Sequence, residues 1–234
     1  MSSDDKQSEA RAVVERYAKR ADGDRYSARR AEVWQTLQER QRAMLRLFHQ
    51  LGLPEFAQLD VVEVGCGSGG NLLELLRLGF APQRLTGLEL LRERFDAARE
   101  RLPAATTLWL GDATLAPVAD ASQDIVLQST VFSSLLDDGF QQQLAQCMWR
   151  WLRPGGAVLW YDFTIDNPFN ADVRGVRLAR VRALFPATRV MARRVTLAPP
   201  LARALCRVHP SLYTLFNTLP WLRTHVLAWL EKPL

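Results

Sequence analysis

The sequence predicts an α/β protein with a largely parallel sheet covered by helices on both faces. Two observations predict it. Between Leu59 and Phe163, short apolar runs rich in β-branched residues alternate with helical stretches. The first of these runs ends in glycines that open a helix, as a buried parallel strand does at its carboxyl end.

Each element follows from its local pattern. In the first fifty residues, Ala12, Val13 and Tyr17, then Trp34, Leu37, Met44, Leu45, Leu47 and Phe48, recur at three-to-four spacing, which reads as helix. Ala21-Asp22-Gly23-Asp24 divides two helices, and Gly52 with Pro54 ends the second. Leu59–Val64 is the first strand and Asn71–Leu78 a helix. Leu85–Leu90 is the second strand, followed by a helix over Leu91–Leu102 that stops at Pro103. Thr107–Leu110 and Asp124–Leu127 are the third and fourth strands. The helix Phe140–Leu152 is closed by Pro154-Gly155-Gly156 and leads to a fifth strand at Ala157–Phe163. Beyond it, Val173–Phe185 reads as helix and Thr188–Leu197 as strand. Pro199–Pro220 reads as broken helical pieces. Thr224–Leu230 fits a last strand better than a helix, because β-branched and aromatic residues alternate there.

Composition narrows the class. Of 234 residues, 48% are hydrophobic and 24% charged, which excludes disordered and fibrous chains. No apolar run reaches the ~18 residues of a membrane span. Three separated cysteines and three histidines without ligand spacing argue against a disulfide framework or a metal site. An acidic, polar N-terminus and this cysteine usage point to the cytoplasm. The charge is lopsided: residues 1–172 hold 24 acids and 19 bases, whereas Val173–Leu230 holds ten arginines and no acid. That half suits an anionic acceptor or peripheral membrane contact. No nucleic-acid recognition motif is visible, so nucleic acid is not expected as a partner.

The chemistry centres on Glu63-Val64-Gly65-Cys66-Gly67-Ser68-Gly69-Gly70. Glycines at a strand–helix junction permit a tight turn and close backbone approach to a ligand, and the helix start offers free N–H groups. Gly65, Gly67 and Gly70 also satisfy the dinucleotide fingerprint, with Glu89 at the interval of a ribose-binding acid. An NAD(P)-dependent oxidoreductase therefore stays open. Three features favour another ligand. Glu63 suits a nearby cationic amino group better than a pyrophosphate. Asp112 in Gly111-Asp112-Ala113 can accept from an adenine amine. Leu152-Arg153-Pro154-Gly155-Gly156 leads into the fifth strand.

In this order and spacing, the motifs resemble those of the class I S-adenosylmethionine-dependent methyltransferases of small molecules. The resemblance covers roughly Leu59 to Phe163. It implies a Rossmann-like sheet of seven strands, the last antiparallel, with a helical insert before that strand. It also implies an N-terminal helical cap over residues 1–53 and a core over 54–234, with a basic substrate-side segment near 166–223. S-adenosylmethionine would be the cofactor and S-adenosylhomocysteine the product. Its contacts would be Glu63, Gly65, Cys66, Gly67, Gly69, Glu89, Leu90, Asp112, Ala113, Gln128 and, from the cap, Tyr17, with Arg20, Arg25 and Tyr26 as further cap residues.

Acceptor residues are less legible. Methyl transfer needs alignment more than it needs a base. Ser129, Thr130, Asn167, Arg174 and Tyr213 are the substrate-side candidates, and Asp162, Tyr161 and His209 the catalytic ones. The expected acceptor is small or medium-sized, anionic or lipophilic, with oxygen favoured over nitrogen. Val158–Val176 looks like methyltransferases of secondary-metabolite and cell-surface saccharide pathways. A module that binds the cofactor without catalysis, and docks on a membrane or partner, is the non-enzyme alternative.

Overall fold

The computed structural model describes residues 3–19, 27–53, 55–166, 170–187 and 189–234, with side chains from Glu9 onward. Its centre is a seven-stranded sheet of β1 (Val61–Val64), β2 (Leu85–Glu89), β3 (Thr107–Leu110), β4 (Gln123–Ser129), β5 (Leu152–Phe163), β6 (Arg189–Leu197) and β7 (Arg223–Glu231). The strand order is β3-β2-β1-β4-β5-β7-β6. The pairs β1–β2, β1–β4, β2–β3 and β4–β5 are parallel, and β7 runs antiparallel to both β5 and β6. The order reverses between β1 and β4, which is where ligands bind in open α/β sheets, beyond the carboxyl ends of the strands.

Period-two alternation assigns each strand two buried faces. Val62, Val64, Val126, Val158 and Trp160 pack with α5 (Asp138–Trp151) and α6 (Leu178–Leu184). Val61, Ile125, Leu127 and Leu159 pack on the other side with α2 (Ala31–Leu51) and α3 (Gly70–Arg77). In α2, Met44, Leu47 and Phe48 form the buried stripe, and Gly52 closes the helix in the left-handed region at φ 59°. The helix α4 (Arg92–Arg101) joins β2 to β3, and α1 (Ser3–Ala18) lies near β4 and α5. Between β6 and β7 stand α7 (Pro199–Val208) and α8 (Ser211–Phe216).

The elements match the expected order, with three displaced boundaries: β5 starts at Leu152 rather than Ala157 and so contains Pro154-Gly155-Gly156, and two helices shift. The helix expected from Val173 starts at Leu178. Arg174 donates its N–H to the Ser133 carbonyl and Val176 to that of Phe163, so residues 173–177 run extended against the end of β5. Helix α5 starts at Asp138 rather than Phe140, because the Asp137 carboxylate caps it by accepting from the Phe140 N–H. Among the described residues no helix is long and apolar enough to cross a membrane.

Candidate functional site

A cavity open to solvent lies at the switch point, lined by Gly65, Glu89, Asp112, Thr130 and Phe140 and roofed by Tyr17 of α1. The β1–α3 turn forms one wall. Gly65 adopts φ +64°, and a Cβ there would stand 2.6 Å from the Val131 methyl Cγ2. Gly67, at φ +57°, faces open space instead, which leaves the backbone approachable.

Glu89 ends β2 and is nearly buried. Its Oε2 accepts from the Gly67 N–H at 2.7 Å and its Oε1 from the Leu91 N–H at 2.8 Å, so one carboxylate ties the glycine turn to the neighbouring strand. Each oxygen keeps a further lone pair. Asp112 follows β3, and its Oδ1 accepts from the N–H and hydroxyl of Thr114, both at 2.9 Å. Its Oδ2 has no partner among the described residues. Leu90 and Ala113 line the cavity between these two acids.

Glu63 lies on the opposite face of β1. Fully buried, its Oε1 accepts from Asn71 Nδ2 at 2.5 Å while Oε2 has no partner among the described residues. Burial pushes its carboxyl up to about 8. Cys66 contributes backbone rather than sulfur. Its thiol packs where a Gly87 Cβ would stand, and burial pushes it up, which makes it inert as a nucleophile. Gln128 is buried beneath the rim: its Oε1 accepts from the Val131 N–H at 3.1 Å and its Nε2 donates to the Tyr161 carbonyl at 3.4 Å. It supports Ser129 and Thr130, which do line the cavity. Thr130 adopts φ +58°, an uncommon conformation for a non-glycine residue.

The structure does not bring the three catalytic candidates together. Asp162 is fully buried away from the cavity. Its Oδ2 accepts from the Ser133 N–H at 3.1 Å and its Oδ1 from the Phe163 N–H at 2.9 Å, and burial pushes it up to about 7. Tyr161, its neighbour on β5, points to the opposite face. There its hydroxyl pairs with Thr196 Oγ1 at 2.8 Å and its ring stacks on His225 at 5.1 Å. Burial pushes the phenol up to about 12. His209 is exposed at the end of α7, where Nδ1 accepts from the Ser211 N–H. Of the substrate-side residues, Tyr213 is fully buried and takes a hydrogen bond from Thr36 Oγ1 at 3.3 Å. Arg174 pairs with Asp138 at the start of α5. Asn167 lies outside the described residues, as do Arg20, Arg25 and Tyr26.

Several residues at the site were not singled out from sequence. Arg40 of α2 donates to Asn71 Oδ1 at 2.6 Å and Ser129 Oγ at 3.3 Å, lies 3.6 Å from Glu74, and stands 5.1 Å above the Tyr161 ring. The signal for it was a lone arginine four residues before Met44, on the apolar stripe of α2. Arg94 covers the Tyr17 ring at 4.5 Å. Glu9 Oε1 accepts from the Leu136 N–H at 2.9 Å and from Arg16 at 2.7 Å; Arg16 also donates to the Ser134 carbonyl at 2.9 Å. Polar side chains on an exposed helix carry no such signature.

Residues 61–156 match the family described as methyltransferase domain. Among curated proteins, the chain is 32% identical over 118 residues to the tRNA N(3)-methylcytidine methyltransferase Mettl2 of Drosophila melanogaster, covering 44% of this chain and 34% of that protein. It is 34% identical over 106 residues to the trans-aconitate 2-methyltransferase of Paracidovorax citrulli, covering 45% and 39%. With the fatty-acid O-methyltransferase of Mycolicibacterium smegmatis it shares 37% over 130 residues, covering 53% and 44%. The chain thus spans between a third and a half of these relatives' lengths. In fold, the chain is similar to a SAM-dependent methyltransferase structure from Archaeoglobus fulgidus, with TM-score 0.58 and 13% identity, covering 83% of this chain and 96% of that one. Its antiparallel β7 further separates it from the dinucleotide-binding sheet, whose strand order is 3-2-1-4-5-6.

Proposed function

We propose that this chain transfers a methyl group from S-adenosylmethionine to a carboxylate oxygen of a small, partly lipophilic acid. The observation that carries the cofactor half is Glu89. It stands at the carboxyl end of β2, is fixed by the Gly67 and Leu91 N–H groups, and faces a cavity that Asp112 enters from β3. The residues present fit such a ligand. Glu89 would take the sugar hydroxyls, Asp112 Oδ2 the adenine amine, and Leu90 and Ala113 the faces of the base. Glu63, expected beside the amino group, is buried on the opposite face of β1 and would serve the turn only through Asn71. Open space at Gly67 leaves room for close backbone approach. When bound, the cofactor supplies an electrophilic methyl group on its sulfonium.

The chain's own residues then orient and enclose. A carboxylate is ionised at neutral pH and needs no general base. That matches a cavity whose lining offers Glu89 and Asp112, both engaged with backbone, and no histidine. Helix α1 would act as the cap: Glu9, Arg16 and Tyr17 bind the 134–136 turn and exclude water from the cavity. Arg94, which lines the cavity, adds positive charge that draws an anion. Two relatives are named for carboxylic acids, trans-aconitate and fatty acids, which supports an oxygen acceptor.

The test is methyl transfer with label on the cofactor and a panel of carboxylic acids of rising chain length. The expected product is an ester that releases labelled methanol in mild alkali. Alkali-stable product, as an amine acceptor would give, overturns the carboxylate assignment.

A further inference from the structure

The sheet ends in two edge strands of unequal length. Strand β3 has four residues, whereas β6 has nine and is bonded on one side only, to β7. The Thr224 carbonyl accepts from the Thr164 N–H, and the Lys232 N–H donates to the Gly156 carbonyl, so even-numbered residues along β7 turn their backbone toward β5. The odd-numbered ones face β6. The pairs Arg189–Glu231, Met191–Trp229, Arg193–Leu227 and Val195–His225 therefore carry the ladder, and Val190, Ala192 and Arg194 turn their backbone to the outer edge. Arg223 donates to the Arg194 carbonyl, and Glu39 accepts from the Thr196 N–H. The N–H groups of Val190, Ala192 and Arg194 and the carbonyls of Val190 and Ala192 have no partner among the described residues. Both faces of this open stretch carry arginine. Met191 packs on the α2 side, where Arg193 donates to Gln50 Oε1, and Val190 packs with the α5 and α6 core on the other. Side chains alternate along a strand, so Arg189 and Arg193 flank the edge on one face and Arg194 on the other. All three are exposed, and none forms an ion pair among the described residues. Glu231 stands opposite Arg189 in the register, which leaves Arg193 and Arg194 as the centre of the charge.

We propose that the β6 edge takes up an extended, acidic segment of a partner protein as an added strand. The open backbone groups of Val190, Ala192 and Arg194 bond its main chain. Its Asp or Glu side chains alternate between faces as those of β6 do, and meet Arg193 on one side and Arg194 on the other. Competing occupants use only part of this edge. A second copy would set arginines of two β6 strands against each other, and like charges on an edge are a barrier to self-pairing. A nucleic acid offers phosphates to the arginines and no strand to pair with the open carbonyls. The inference stands on the edge strand alone and does not rest on the reaction assigned to the cavity.

The test is fluorescence anisotropy of a short labelled peptide that alternates Glu with Thr, titrated with the full chain at low salt. The same peptide N-methylated throughout keeps the charge and loses the strand's N–H groups. A peptide alternating Lys with Thr reverses the charge. Binding is expected to the first peptide alone, weakening as salt rises, with slowed hydrogen exchange at the Val190, Ala192 and Arg194 amides. Arg193→Glu with Arg194→Glu should weaken it about tenfold or more. Ala192→Pro removes an N–H that points outward, so the ladder to β7 stays whole and binding should fall at least about fivefold. Circular dichroism confirms that the variants fold. No binding at low salt, equal binding of the N-methylated or the lysine peptide, or binding untouched by the variants overturns the proposal. So does dimerisation, or RNA binding, that the same variants abolish while the peptide does not bind.

Discussion

Replacing Glu89 with glutamine tests the centre of the site. The carboxylate accepts from Gly67 N–H at 2.7 Å and Leu91 N–H at 2.8 Å. An amide keeps one acceptor and turns a donor toward the other N–H, which is left unmet. Losing a charge-assisted hydrogen bond and stranding its partner costs about 2–3 kcal/mol. For a chain of this size that lowers Tm by roughly 5–10 °C. The sugar hydroxyls lose a charged acceptor at the same time, worth about 1.5–3 kcal/mol. The Kd for the nucleoside should therefore rise roughly 10- to 100-fold. Titration calorimetry with S-adenosylmethionine, S-adenosylhomocysteine and NAD, well below the Tm of either protein, measures this. If the variant melts earlier yet binds S-adenosylhomocysteine within about threefold of the parent, Glu89 serves only the turn and the sugar sits elsewhere. If the parent binds NAD and neither sulfur nucleoside, the cofactor assignment fails altogether.

Three further outcomes are expected. Gly65→Ala places a methyl group 2.6 Å from Val131 Cγ2 at φ +64°, so about 2–4 kcal/mol of stability should be lost, with weaker nucleoside binding; an unchanged urea midpoint refutes it. Burial raises Glu63 to about 8 and Asp162 to about 7, from 4.5 and 3.8, so the folded chain holds protons that the unfolded chain releases. Stability should be highest below pH ~4.5 as far as these two groups decide it and fall as pH rises toward ~8, and Glu63→Gln or Asp162→Asn should flatten that slope in denaturant titrations. Glu9→Ala removes the acceptor of the Leu136 N–H and the partner of Arg16, so S-adenosylhomocysteine should dissociate about tenfold faster in stopped flow; an unchanged off-rate means that α1 does not close the cavity.

The sheet and cofactor edge were legible because each is written in contiguous residues. The glycine turn, Glu89 and Asp112 all sit at strand ends, so finding the strands located them. Tyr161 and Asp162 were found for the same reason, yet adjacent strand residues face opposite sides, and neither side chain enters the cavity. Which face is used depends on what packs there, a non-local fact. Arg40 shows the converse: it acts through Asn71, Glu74, Ser129 and Tyr161, residues from α3, β4 and β5 that only the fold assembles. His209 and Tyr213 drew notice by residue type alone, and helix geometry decides them: one ends on the outer surface of α7, the other points inward from α8.

The two acids flanking the glycine turn hold it from two sides. On the cavity side, Glu89 grips Gly67. On the other face, Glu63 grips Asn71, which Arg40 holds at 2.6 Å while reaching Ser129 on the next strand. The turn is thus fixed from both faces of β1, and the β4 rim is tied to the same arginine. Thr130, at φ +58°, sits on that rim, and a strained residue persists only where its surroundings over-determine it. Gln128 beneath and Arg40 beside it provide that constraint. A reaction that asks for collinear alignment, not proton transfer, gains most from such rigidity. In the proposed methyl transfer, alignment by this rim would be the chain's contribution, and the buried polar network is what holds the rim in place.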